Sequence, residues 1–126
     1  MIHTISTLAA PAAIGPYSQG NQAGHFIFLS GQLPVDMESG AFPESVEEQT
    51  EKSLTNIRSI LESSGCTMDN VIKTTVFLSD MNNFGAMNGV YEKFFSKNAY
   101  PSRSAVEVAT LPKDALVEIE AIAYID

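Results

Sequence analysis

The chain is 126 residues long, 44% hydrophobic and only 17% charged, which suits one domain with its own core, since domains run to roughly 100–200 residues. That composition excludes a disordered chain, and Cys66, the single cysteine, excludes a disulfide framework and a cysteine-rich metal site. Seven Lys and Arg against fifteen Asp and Glu leave a net charge of −8, a field that repels a phosphate backbone and disfavours nucleic acid as a partner.

Residues 1–51 carry six acids and no Lys or Arg, whereas secretory signals and transit peptides need a basic N-terminal region. The apolar run from Leu8 to Ile14 is broken by Pro11 and is too short to cross a bilayer. A cytoplasmic protein without a membrane partner is expected. With only His3 and His25 beside Cys66, a zinc site would have to borrow carboxylates, and no tightly held transition metal is expected.

A short apolar stretch, Ile2 to Ser6, reads as an edge strand. Pro11 to Gly20 is dense in Pro and Gly and reads as a shaped loop. After the turn-like Ala23-Gly24, residues 26–33 alternate with strand periodicity. Ile27, Leu29 and Leu33 fall on one side, and Phe26, Phe28, Ser30 and Gln32 on the other. From Ser45 to Ser64 the spacing is helical, through Val46, Thr50, Leu54, Ile57 and Leu61. Ser45 and Glu48 fit a capping box, and Gly65 stands where a C-terminal cap belongs.

Val71 to Ser79 reads as a buried strand, rich in β-branched residues. Helical spacing returns over Asn83 to Lys97, with Phe84, Met87, Tyr91, Phe94 and Phe95 on one side. Gly85 and Gly89 lie one turn apart and suggest a close approach to a neighbouring element. Two last strands, Arg103 to Ala109 and Leu116 to Ile125, read as a hairpin. The order predicts an α+β fold, a sheet with two helices packed on one face. In that hairpin Arg103, Glu107, Glu118 and Glu120 share the helix-free face with large apolar side chains. Such a surface calls for a second subunit to cover it.

Chemistry concentrates on that strand pair. Arg103 suits either a fork for an organic carboxylate or an internal ion pair with Glu118 or Glu120. Glu118 and Glu120 suit general acid–base work or the balancing of an arginine. If Arg103 lies beside Glu118, it should lower the pKa of that carboxyl. Tyr17, Ser30 and Asn88 offer polar groups that serve a ligand or the fold equally well. Arg58 reads as a solvated partner of acids such as Glu62, and Cys66 as a structural thiol. No phosphate loop and no Ser-His-Asp arrangement is present.

Six segments have a family look: Ala10 to Gly20 (APAAIGPYSQG), Ser30 to Pro34 (SGQLP), Lys73 to Phe77 (KTTVF), Pro101 to Val108 (PSRSAVEV), Leu111 to Asp114 (LPKD) and Glu118 to Ala123 (EIEAIA). Together they resemble the reactive intermediate deaminase family (RidA, also called YjgF), the RidA subgroup in particular, in order along nearly the whole chain. The resemblance implies a single RidA-like domain over residues 1–126 with a chorismate-mutase-like fold. It also implies a homotrimer with clefts between subunits. The implied reaction is hydrolysis of 2-iminobutanoate and 2-iminopropanoate, or their enamine tautomers, to 2-keto acids and ammonia, without cofactor or metal. It assigns carboxylate anchoring to Arg103, water positioning to Glu118, and substrate contacts to Tyr17, Ser30, Gly31, Asn88 and Ala105. Ala105 stands where the family often has cysteine, which tells against any thiol-dependent role. Two rival readings are a non-catalytic regulator that senses a keto acid, and an endoribonuclease or translation inhibitor. The net charge and the absence of a basic aromatic groove oppose the latter.

Overall fold

In the computed structural model, which describes residues 1–126, six strands share one sheet. They are β1 (Ile2–Ile5), β2 (Gly20–Ala23), β3 (Phe26–Gln32), β4 (Val71–Leu78), β5 (Ser102–Glu107) and β6 (Val117–Tyr124). Their spatial order is β1-β2-β3-β6-β4-β5, antiparallel throughout except for the parallel pair β4 and β5. Two helices, α1 (Val46–Ser63) and α2 (Phe84–Tyr91), complete the α+β fold.

Helix α1 is bounded by the expected caps. Ser45 Oγ accepts from the Glu48 N–H at 3.1 Å, and beyond the last turn Gly65 adopts a left-handed φ of 79°. Leu54, Ile57, Ile60 and Leu61 are fully buried against Ile27, Val76, Leu78, Val117 and Ile119 of the sheet. Burying each such side chain contributes about 1.5–3 kcal/mol, so this one layer outweighs any single polar contact in the molecule.

Three elements depart from the sequence reading, each for a physical reason. Strand β2 lies where a loop and turn were expected, because Gly20-Asn-Gln-Ala23 has no apolar alternation to betray it. Gly20 is needed there: a Cβ would sit 2.7 Å from Leu29 Cδ2 and 3.1 Å from the Phe28 carbonyl of β3. Strand β3 carries a bulge. Leu29 pairs with Ala121 and Gln32 with Ile119, so Ser30 and Gly31 together oppose Glu120. The extra residue reverses the alternation and turns Gln32 inward, where it is buried. Helix α2 is also shorter than its periodicity suggests, ending at Tyr91 in a 3-10 turn over Glu92–Phe94. Gly85 and Gly89 face open space rather than a close neighbour.

The largest correction concerns the final strands, which form no hairpin. The apolar β4 takes the place between them, pairing antiparallel with β6 and parallel with β5. The hydrophobic Val71–Leu78 gains most from a central position, while the polar Ser102-Arg-Ser104 run tolerates an edge. Thr74 is the register partner of Arg103, and Phe77 that of Glu118. Thr74, Val76 and Leu78 are buried under the helices, so Arg103, Ala105 and Glu107 lie on the helix side and Glu118 and Glu120 on the opposite face. Glu107 is engaged locally, accepting the Met81 N–H at 2.7 Å. Phe26, Phe28, Val106 and Tyr124 are all exposed on the helix-free face.

Candidate active site

Arg103 leaves the sheet edge under α2, whose residues 84, 88 and 91 fall on one helical face. Asn88 Oδ1 accepts from Arg103 Nη1 at 2.7 Å. The guanidinium carbon lies 5.3 Å from the Phe84 ring centroid and 4.8 Å from that of Tyr91, distances at which a cation is attracted to an aromatic face. Tyr91 is tied in turn to the sheet, its hydroxyl 2.6 Å from the buried Thr74 Oγ1. No carboxylate lies within 4.0 Å of Arg103, since the one ion pair of the chain joins Lys52 and Glu51. Asn88, Tyr91, Glu92, Tyr100, Pro101 and Arg103 line a cleft of about 510 Å³. A half-buried guanidinium with neutral partners and spare N–H donors facing a cleft is equipped to grip an anion bidentately.

Glu118 belongs to a different surface. It is half-buried on the helix-free face beside the bulge, so close to Gly31 that a Cβ there would overlap its carboxylate. Burial first, and then the like charge of Glu120, push the Glu118 carboxyl above its ordinary value. Arg103 contributes nothing to that shift, contrary to the expected lowering, because the two side chains occupy opposite faces. Ser30 Oγ donates to the Ser18 carbonyl at 2.6 Å, and the Ser30 N–H donates to the Gln19 carbonyl at 2.9 Å. Buried Gln19 fixes the preceding loop through Thr7 and Pro11, and Tyr17 stands exposed upon it.

The candidate residues thus separate into two groups within one protomer. Arg103, Asn88 and Ala105 are together at the α2 edge, with Ala105 packed against the core rim. Glu118, Gly31 and Ser30 are together at the bulge, with Tyr17 on the adjoining loop. Helical and strand spacing mark Phe84, Tyr91 and Thr74 only as packing residues, yet they surround Arg103. The signal that would have found them is the 84–88–91 spacing once Arg103 is placed beneath α2.

Other candidates stay outside both groups. Arg58 stacks on Phe94, its guanidinium carbon 5.3 Å from the ring, and forms no ion pair with Glu62. Cys66 is buried, which raises its thiol pKa and leaves it protonated and unreactive. No three His, Cys, Asp or Glu side chains converge as metal ligands would, and no helix is long and apolar enough to cross a membrane.

Known proteins resemble this chain in sequence and in fold. Residues 7–125 match the family described as endoribonuclease L-PSP. The 2-iminobutanoate/2-iminopropanoate deaminase of Salmonella typhimurium is 50% identical over 98% of both chains, and its Escherichia coli counterpart is 49% identical with the same coverage. Among solved structures, the YjgF gene product of Escherichia coli superposes with a TM-score of 0.92 at 50% identity, covering 97% of this chain and 98% of its own. Escherichia coli TdcF with bound serine gives 0.92 at 44% identity, covering 98% and 99%. With half its residues shared over nearly its full length, this chain belongs to the YjgF/RidA family.

Proposed function

We propose that this protein is a 2-iminobutanoate/2-iminopropanoate deaminase that works as a homotrimer of chorismate-mutase-like subunits. The observation that carries the reading is Arg103: a guanidinium braced by an amide and two rings, without an acid partner, at the mouth of a cleft. A 2-imino acid presents the carboxylate that such a group recognises. The half-identical deaminases and the serine-bound relative supply the substrate class.

Arg103 and Glu118 lie on opposite faces of one sheet. One small molecule meets both only if the helix-free face of one protomer packs against the α2 edge of another. The exposed Phe26, Phe28, Val106 and Tyr124 favour such association. In that cleft Arg103 holds the substrate carboxylate and fixes the C=N carbon. Glu118 takes a proton from water as its oxygen bonds to the carbon of the protonated imine, giving a neutral carbinolamine. It then returns that proton to nitrogen, and as the C–N bond breaks the carbinolamine hydroxyl gives up its own proton to the departing ammonia, leaving the 2-keto acid and ammonium. Asn88 keeps Arg103 aimed, while Tyr17, Ser30, Gly31 and Ala105 shape the walls.

The test couples a threonine dehydratase to this protein and follows 2-ketobutyrate release. The wild type should accelerate release, and Arg103→Ala and Glu118→Ala should each abolish the acceleration. Full activity in Arg103→Ala overturns the anchor. A monomer in light scattering overturns the composite cleft, and binding of 2-ketobutyrate without any acceleration favours the regulatory reading.

A further inference from the structure

We infer that Tyr91, held by Thr74, is a positioning residue that sets the plane of the Arg103 guanidinium and so determines selectivity for a carboxylate. The inference rests on Arg103 as the substrate anchor and adds two residues that no carried-over role includes.

An arginine side chain has enough rotamer freedom that a useful anchor must be held from several directions. Asn88 supplies one point, a hydrogen bond to Nη1. One hydrogen bond leaves the guanidinium free to swing about that contact, and the rings must remove that freedom. Phe84 approaches at 5.3 Å from its place in the first turn of α2. Tyr91 approaches nearer, at 4.8 Å, and is itself buried.

Tyr91 differs from Phe84 in being fixed to the sheet as well as to its helix. Its hydroxyl meets Thr74 Oγ1 at 2.6 Å in a buried pair. Thr74 is the register partner of Arg103 across the parallel β4–β5 ladder. The contacts therefore close a ring: Arg103 to its strand neighbour Thr74, Thr74 to Tyr91, and the Tyr91 ring back to the Arg103 guanidinium. Any tilt of the tyrosine breaks a buried hydrogen bond, whose loss leaves a buried hydroxyl unsatisfied. The frame is stiff where the ligand needs it to be. A carboxylate reads the plane of the fork through two parallel N–H donors, whereas an uncharged ester does not.

The experiment measures binding of 2-oxobutanoate and of its methyl ester to the intact protein by titration calorimetry or NMR. The wild type should prefer the acid. Tyr91→Leu should weaken acid binding by about tenfold, the scale of a lost, partly desolvated cation–π contact, and weaken ester binding far less. Tyr91→Phe and Thr74→Val should each weaken acid binding by about threefold, and the double variant no further, because both remove one hydrogen bond. Acid binding at the wild-type level in folded Tyr91→Leu overturns the inference, as does an equal loss for acid and ester, which marks general damage to the cleft. If Tyr91→Leu does not fold, Tyr91→Phe and Thr74→Val decide, and wild-type acid binding in both overturns it. A wild type that fails to distinguish acid from ester instead overturns the Arg103 anchor itself.

Discussion

Gly31→Ala separates the position of Glu118 from its presence. The backbone at Gly31 lies outside the left-handed region, so alanine is conformationally acceptable there. The added methyl would overlap Glu118 Oε2, with Cδ at 3.0 Å and Cγ at 3.3 Å. The obstacle is the end of a half-buried side chain, not backbone, and rotation of the carboxylate relieves it. The stability cost should therefore fall at or below the low end of the roughly 1–3 kcal/mol typical of overpacking. Relief moves the carboxylate by about 1 Å, a misplacement able to cost about 10²-fold in rate. That loss is equivalent to about 2.7 kcal/mol of transition-state stabilisation. Thermal unfolding and the dehydratase-coupled assay should thus diverge, with stability nearly kept and kcat/KM down about a hundredfold. Glu118→Asp shortens the acid by one methylene, so the double variant should lose less than the two single losses combined. Wild-type kcat/KM in Gly31→Ala would refute the reasoning, and so would losses that simply combine in the double variant.

Two further outcomes follow from the same geometry. The Glu118 carboxyl titrates above its ordinary value of 4.5 in the folded protein, so between the two pKa values the native state holds more protons than the unfolded chain. In the dissociated protomer, stability should fall as pH rises through that window, and Glu118→Gln should abolish the fall and be the more stable protein at neutral pH. Chemical denaturation between pH 4 and 8 checks this, and identical profiles for the two proteins would contradict it. Asn88→Asp places a carboxylate where Arg103 now meets a neutral amide at 2.7 Å, so it should compete with the substrate. KM should rise about tenfold or more, consistent with loss of a charge-assisted contact, with kcat much less affected. An unchanged KM for the imine would sink that account.

Most of the fold was legible because periodicity and caps are local. The 3.6-residue spacing of Val46 to Leu61 and the Ser45 and Gly65 caps place α1 within a residue of its observed ends. Val71–Leu78 announces itself through β-branched residues, and β6 through its strict alternation. What local pattern does not encode is which strands are neighbours. Two adjacent strands joined by a short connection suggest a hairpin, yet here the chain makes a turn through Lys113 and Asp114, both at positive φ, and crosses beyond β4. The decision belongs to β4, whose burial on both flanks is a property of the whole sheet. The β3 bulge is illegible for a related reason. An inserted residue changes the phase of alternation without changing composition, so Gln32 looked outward until its partner Ile119 was known.

The site divides along the same line. Residue type and motif suffice to single out Arg103 and Glu118, since each is chemically conspicuous wherever its strand lies. Their relation is not legible, because a period of two assigns faces only relative to a known pairing. With β5 beside β6, the arginine and both glutamates would share one face, where an internal ion pair competes with ligand binding. With β4 between them, Arg103 turns toward α2 and acquires neutral partners, while Glu118 keeps a raised pKa beside Gly31. The separation is thus what leaves both groups available. An unpaired cation and a protonatable acid persist in one small protein because the sheet stands between them, and the proposed packing of a second protomer would bring the two chemistries to the same molecule.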